Sequence, residues 1–260
     1  MIGRVLVIAG SDSGAGAGIQ ADIKTAMALG AYATTALTAL TAQDTTGVHE
    51  VHAVPLPFLR RQIEVVLADI GADAVKTGML GDSDTIALVA ELLAPAGLPL
   101  VLDPVMVAKG GARLLAVEAI AALKRHLLPL ATLLTPNIPE AEALTGMTIT
   151  DLPSMHDAAQ ALLTLGVPAV LLKGGHMPGD RVMDLLTTVE GTEVFQHKRI
   201  ATRHTHGTGC TLATAIAAGL AQGMDLPAAV ARAESYVHAA IATAPGLGAG
   251  SGPLNHAASF

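Results

Sequence analysis

Residues 4 to 40, RVLVIAGSDSGAGAGIQADIKTAMALGAYATTALTAL, decide the fold. An apolar run from Val5 to Ala9 enters a glycine-rich loop, Gly10 to Gly18; a segment of helical period follows, and a second β-branched run begins at Tyr32. Near-continuous apolar strands joined through a helix predict a βαβ unit with parallel strands covered on both faces. The rhythm recurs in the apolar runs ADAVKT (72–77), LPLVLD (98–103), ATLLTP (131–136) and PAVLLKGG (168–175), and in the helical patterns at 85–93, 117–127 and 155–166. The fold class is therefore α/β, with a mostly parallel central sheet and ligands expected at the carboxyl ends of its strands. RVMDLLTTVEGTEVFQHKRI (181–200) departs from the rhythm and reads as two strands around Glu190-Gly191, an antiparallel edge hairpin. No linker divides the chain, so residues 1–260 are expected to form one domain, and the glycines from Gly246 to Gly252 a loop or a frayed tail.

Composition narrows the function. Half of the residues are hydrophobic, but the apolar runs are broken by Glu91, Pro95, Pro99 and Gln222, so no membrane partner is expected. A net charge of −7 without a basic run argues against nucleic-acid partners, and with two Tyr, three Phe and no Trp there is little aromatic surface for stacking. The lone Cys210 cannot form an intramolecular disulfide and nothing near Met1 resembles a targeting segment, so a cytoplasmic location is expected.

HGTGC (206–210) runs into a stretch of small apolar residues. Its glycines allow a turn with its amides pointing one way, to which a following helix adds its positive end, making an anion hole of Gly207, Thr208, Gly209 and Cys210. The helix terminus should also bias the Cys210 thiol towards thiolate. Asp103 closes one strand and Glu140 follows another in TPNIPEAEAL, where Asn137 is a helix-capping candidate; two such carboxylates suit Mg²⁺ held through water, although Glu140 as a capping-box acid is a rival reading. Lys173, before Gly174-Gly175, could neutralise phosphate charge, and Gln43 offers a donor and an acceptor to a planar ring. The loop Gly10 to Gly18 misses the dinucleotide fingerprint; it reads either as a phosphate cradle or as a tight βα turn. The ten histidines form no metal-ligand spacing and read as loop and surface residues.

In this order GSDSGAGAGIQADIKT, TALTAQDTTGV, VKTGML, LDPVMVAKGGARLL, LTPNIPEAEALTG, LLKGGH, HGTGCTLATAIAAGLAQG and GPLNH resemble the hydroxymethylpyrimidine and phosphomethylpyrimidine kinases of thiamine biosynthesis, within the ribokinase-like superfamily. The resemblance covers nearly the whole chain. It implies a three-layer α/β/α fold, a homodimer, and ATP- and Mg²⁺-dependent phosphorylation of 4-amino-5-hydroxymethyl-2-methylpyrimidine and then of its monophosphate. Carried over by motif, Gly10, Asp22, Gln43, Met79 and Val105 contact the pyrimidine. Asp103, Asn137, Lys173 and Thr208 face the nucleotide, Asp103 and Glu140 the magnesium, and residues 207–210 the transferring group, with Cys210 where many related sugar kinases carry an aspartate base. Because the second acceptor is already anionic and needs no deprotonation, Cys210 is expected to assist the first transfer and its backbone N–H both. Asp44 stands where the family commonly has Asn, and Gly110 and Ala112 where Ser and Asp are usual in a flap. A pyridoxine-type kinase is the alternative within the same chemistry, and a non-catalytic nucleotide or vitamin-precursor sensor the alternative outside it.

Overall fold

A computed structural model describes residues 2–107, 111–112 and 114–260. The chain runs β1 (Arg4–Asp12), α1 (Gly18–Ala28), β2 (Tyr32–Gln43), β3 (Val48–Ala53), α2 (Leu56–Asp69), β4 (Ala74–Thr77), α3 (Ser83–Leu93), β5 (Leu100–Leu102) and α4 (Ala119–Ala122). It continues through β6 (Leu133–Leu134), α5 (Ile138–Thr145), α6 (Leu152–Leu163), β7 (Ala169–Leu172), β8 (Arg181–Thr188), β9 (Gly191–Lys198), α7 (Thr208–Ala221) and α8 (Leu226–Ala242). The nine strands form one sheet in the order β3-β2-β1-β4-β5-β6-β7-β8-β9. Neighbours from β2 to β7 pair parallel, while β3, β8 and β9 pair antiparallel at the two edges.

Alternation along the buried strands divides the core in two. Leu6, Ile8, Val75, Leu100 and Leu102 face the layer of α2 to α6, whereas Val5, Val7 and Val101 face α1, α7 and α8. Helix starts are locally encoded: Asp82 accepts the Thr85 N–H at 2.8 Å, Asp151 and Ser154 form a capping box, and Asp225 accepts from Ala228. This is the ribokinase-like three-layer arrangement, with the edge hairpin where the sequence placed it.

Three elements lie outside the rhythm read from the sequence. β3 carries an alternation, VHEVHA, that histidine and glutamate make look like loop, and most of it is exposed because only one edge pairs. α2 and α8 are amphipathic helices beside the recognised units. Residues 246–252 are packed rather than frayed: the Ser251 N–H donates to the Thr45 carbonyl at 2.8 Å, and the Gly250 N–H to Thr45 Oγ1 at 3.1 Å.

Candidate active site

β1 pairs with β2 on one side and β4 on the other, so the chain reverses direction across the sheet there and leaves a crevice at the strands' carboxyl ends. A cleft of about 1100 Å³ opens at this edge and continues past β5, β6 and β7. HGTGC stands at its centre. Gly207, with φ of +83°, precedes α7, and a Cβ there would run into the Gly16 carbonyl. Only glycine combines that backbone with that approach. No side chain caps α7, so the amides of Gly209 and Cys210 lack an intrahelical acceptor.

One end of the cleft carries the charges. Asp103 follows β5, Lys173 follows β7, and Lys173 Nζ donates to Asp103 Oδ1 at 3.1 Å. A Cβ on Gly209 would lie 3.2 Å from Lys173 Nζ and 3.7 Å from Asp103 Oδ2, which sets both groups against the first turn of α7. Burial pushes Lys173 towards the neutral amine, but Asp103 and Glu140 outweigh it and hold the ammonium above the ordinary lysine range. Glu140 accepts the Asn137 N–H at 2.8 Å while Asn137 Oδ1 accepts the Glu140 N–H at 2.9 Å, so the capping box is present. Burial, opposed by Lys173, pushes the Glu140 carboxyl up to about 7. No group of three His, Cys, Asp or Glu that could hold a metal occurs among the described residues. The donor chemistry here, two hard carboxylates beside a lysine, fits magnesium held mainly by phosphate oxygens and water, not a closed protein cage.

At the other end Gly10, Gln43, Met79 and Val105 line the cleft. A Cβ on Gly10 would lie 3.1 Å from Met79 Sδ, so the loop's lack of a side chain leaves room for the thioether. Gln43 Oε1 accepts the Thr41 hydroxyl at 3.0 Å, and its amide nitrogen lies 3.3 Å from His206 Nε2. His206 Nε2 is also 2.8 Å from Asp12 Oδ2. Burial would push Asp12 up, but its bonds to His206 and to the N–H groups of Ala17 and Gly14 hold it below the ordinary carboxylate range.

Three expectations are corrected here and one open alternative is resolved. Asp22 does not reach the cleft: it is fully buried on α1, with both oxygens 3.0 Å from Lys76 Nζ and a bond from the Thr214 hydroxyl at 2.5 Å. The Cys210 thiol is not biased towards thiolate, because burial outweighs the Lys76 charge and pushes it up to about 11. The amides of Gly14, Gly16 and Ala17 in the N-terminal loop go to the Asp12 carboxylate, so this stretch is a turn and not a phosphate cradle. The histidines are not all surface residues: His197, His206 and His238 line the cleft, and buried His256 bonds the Thr211 hydroxyl at 3.1 Å.

The residues missed by sequence reasoning are Asp12, Thr41, Lys76, His206 and Arg199. Arg199 donates to the carbonyls of Gly175, Met177 and Gly179, fixing the turn after Lys173. Asp12 and His206 sit inside motifs read for their glycines, so a signal was there; nothing local marks Arg199. The departure at Asp44 is accommodated, because its Oδ1 accepts from the N–H and hydroxyl of Thr46, a role an amide oxygen can fill. In the flap, Gly110 lies outside the described residues and Ala112 is half-buried, while the Leu114 and Leu115 amides both donate to the Met106 carbonyl.

The family model for phosphomethylpyrimidine kinase matches residues 12–255. The hydroxymethylpyrimidine/phosphomethylpyrimidine kinase of Streptomyces coelicolor is 48% identical over 97% of this chain and 93% of its own length. The thiamine biosynthesis bifunctional protein ThiED of Geobacter sulfurreducens is 53% identical over 98% of the chain, which spans 52% of that protein. Among solved structures, an ADP complex of Bacillus subtilis pyridoxal kinase superposes with a TM-score of 0.93 at 39% identity, covering 99% of this chain and 98% of that one. A phosphomethylpyrimidine kinase from Clostridium difficile gives 0.81 at 40% identity, covering 92% and 98%. A match over nearly the whole sequence, on a fold that brings the shared motifs to one cleft, leads to a single conclusion: the chain belongs to the phosphomethylpyrimidine kinase family.

Proposed function

We propose that this chain transfers the terminal phosphoryl group of ATP to the hydroxymethyl group of 4-amino-5-hydroxymethyl-2-methylpyrimidine, and then to the monophosphate so formed. The observation that carries the reading is convergence. The Gln43/Met79 end and the Lys173/Asp103 end of one cleft meet at the uncapped amides of Gly209 and Cys210.

Gln43, held by Thr41 and placed beside His206, orients the ring edge, with Gly10, Met79 and Val105 enclosing its faces. Lys173, with Asn137 and Thr208 beside it, receives the nucleotide phosphates, and its ion pair with Asp103 keeps the ammonium aimed at α7. Asp103 and Glu140 would hold magnesium through water; when bound, the ion supplies charge neutralisation to the phosphate oxygens. The amides of Gly209 and Cys210 collect the equatorial oxygens of the travelling group, so positioning and electrostatics supply most of the acceleration. A thiol pushed up to about 11 carries its proton at pH 7, so Cys210 acts as a donor beside those amides and not as a resting base. The first acceptor is a neutral alcohol whose proton leaves on a phosphoryl oxygen as the new bond forms. The second acceptor is already anionic and needs no base.

The unit is proposed to be residues 1–260 acting as one kinase domain, in a cytoplasmic homodimer; no helix among the described residues is long and apolar enough to cross a membrane. The likeness to pyridoxal kinases favours pyridoxal as the one alternative substrate. Separating mono- from diphosphorylated pyrimidine over time, with pyridoxal assayed in parallel, tests both. Sequential appearance of the two pyrimidine products is expected, and a clear preference for pyridoxal would overturn the substrate assignment.

A further inference from the structure

Lys76 is the penultimate residue of β4 and has no exposed surface. Its neighbour Val75 points into the layer of α2 to α6, so alternation turns Lys76 towards α1 and α7. There its Nζ meets both oxygens of Asp22 from α1 at 3.0 Å, and Asp22 in turn accepts the Thr214 hydroxyl from α7 at 2.5 Å. Thr214 is four residues after Cys210, so the two lie on the same face of α7, one turn apart. The ammonium lies towards the carboxyl end of β4: a Cβ on Gly78, in the loop that carries Met79, would lie 3.1 Å from Lys76 Nζ.

Stability is a weak reason for this arrangement. An ion pair withdrawn wholly from water gains little over a well-packed apolar pair of the same volume. Its orientation is informative instead. The ammonium lies where a Cβ on Gly78 would approach it, while Asp22 is tied to Thr214, one turn further along α7 than Cys210, so the positive end of the pair is turned towards the first turn of α7. That is the side of the uncapped amides, where the electron-rich phosphoryl oxygens would collect.

We propose that Lys76 is a positioning residue for the transfer step: a charged floor to the anion hole, anchored by Asp22 and Thr214, which favours the transferring group over the bound substrates. The inference rests on the kinase reading above. It assigns Asp22 to the support of Lys76 and not to the pyrimidine.

The test compares wild type with Lys76→Met/Asp22→Asn, in which both charges go together and no lone charge stays buried, and with Lys76→Arg, Lys76→Met and Asp22→Asn. Each is assayed with hydroxymethylpyrimidine and ATP-magnesium. The double variant is expected to lose about tenfold or more in kcat for both transfers while KM for the pyrimidine stays within about threefold. Lys76→Arg, which keeps the charge, is expected to lose less. A double variant that melts near wild type and keeps kcat within about threefold would overturn the proposal, since a purely structural pair predicts that result. Should the double variant fail to fold, Asp22→Asn decides, because it retains the ammonium. A kcat loss smaller than that of Lys76→Met, which removes the ammonium, supports the charged floor, and an equal or greater one overturns it. A wild-type protein that phosphorylates neither pyrimidine would instead refute the kinase reading, an outcome separate from these.

Discussion

His206 Nε2 lies 2.8 Å from Asp12 Oδ2, a contact that joins the turn before α7 to the loop after β1 across 194 residues of sequence. The same ring nitrogen stands 3.3 Å from the Gln43 amide, so a single imidazole sets the distance between the anion hole and the ring-reading residue. Gln43→Ala is accordingly expected to weaken pyrimidine binding by about 1 to 3 kcal/mol and to spare ATP. Titrating each ligand separately checks this, and equal losses for both would remove Gln43 from the pyrimidine end.

Asp103 accepts from both Lys173 Nζ and the Thr135 hydroxyl, and its second oxygen faces Gly209. Asp103→Asn should lower kcat by about a hundredfold or more while leaving pyrimidine affinity near wild type, because the group acts on charge that develops during transfer. Kinetics across a magnesium series give the measurement. An unaltered magnesium dependence would exclude Asp103 from the metal role.

The Cys210 thiol, pushed up to about 11 by burial, should react slowly with iodoacetamide at pH 7 and steadily faster through pH 9 to 11. Cys210→Ala should slow both transfers by a similar, modest factor of about tenfold or less, since the amides remain. Loss of the first transfer alone would restore a base role to the sulfur.

Gly207→Ala should destabilise the fold by about 2 to 4 kcal/mol, because a Cβ at φ of +83° meets the Gly16 carbonyl and the backbone must move. Thermal melts combined with phosphate-transfer assays would register both effects. A variant with wild-type Tm and turnover would show that the two loops tolerate separation.

Glu234 lines the cleft beside Asp184, and burial pushes its carboxyl up to about 7, opposed by its bond to Asp184 and by Lys173. Unfolded, the same group ionises near its ordinary value of 4.5. Between these values the unfolded chain binds fewer protons than the folded one, so this group's contribution to stability falls as pH rises from about 4.5 to 7. Glu234→Gln should thus melt higher than wild type at pH 8, by roughly 2 kcal/mol, with the gap closing towards pH 4.5. A constant gap at every pH would disprove a proton held between Asp184 and Glu234.

The layers, the parallel core of the sheet, the edge hairpin and the HGTGC turn were legible in the sequence, because each depends on local periodicity or on a glycine's backbone freedom. The order of motifs was enough to name the family. Burial and pairing between distant segments were not legible. Asp22 and Gln43 look alike as polar residues in recognised motifs, yet packing of α1 on β1 brings Asp22 to Lys76 of the neighbouring β4, while Gln43 at the end of β2 stays in the cleft. Likewise a helix terminus argues for a thiolate at Cys210, and only the packing of distant segments around it decides for the thiol. Local propensity is written over a few residues, whereas the solvation and charge partners of a buried group are set by chain segments tens to hundreds of residues away. Tertiary structure alone brings those together.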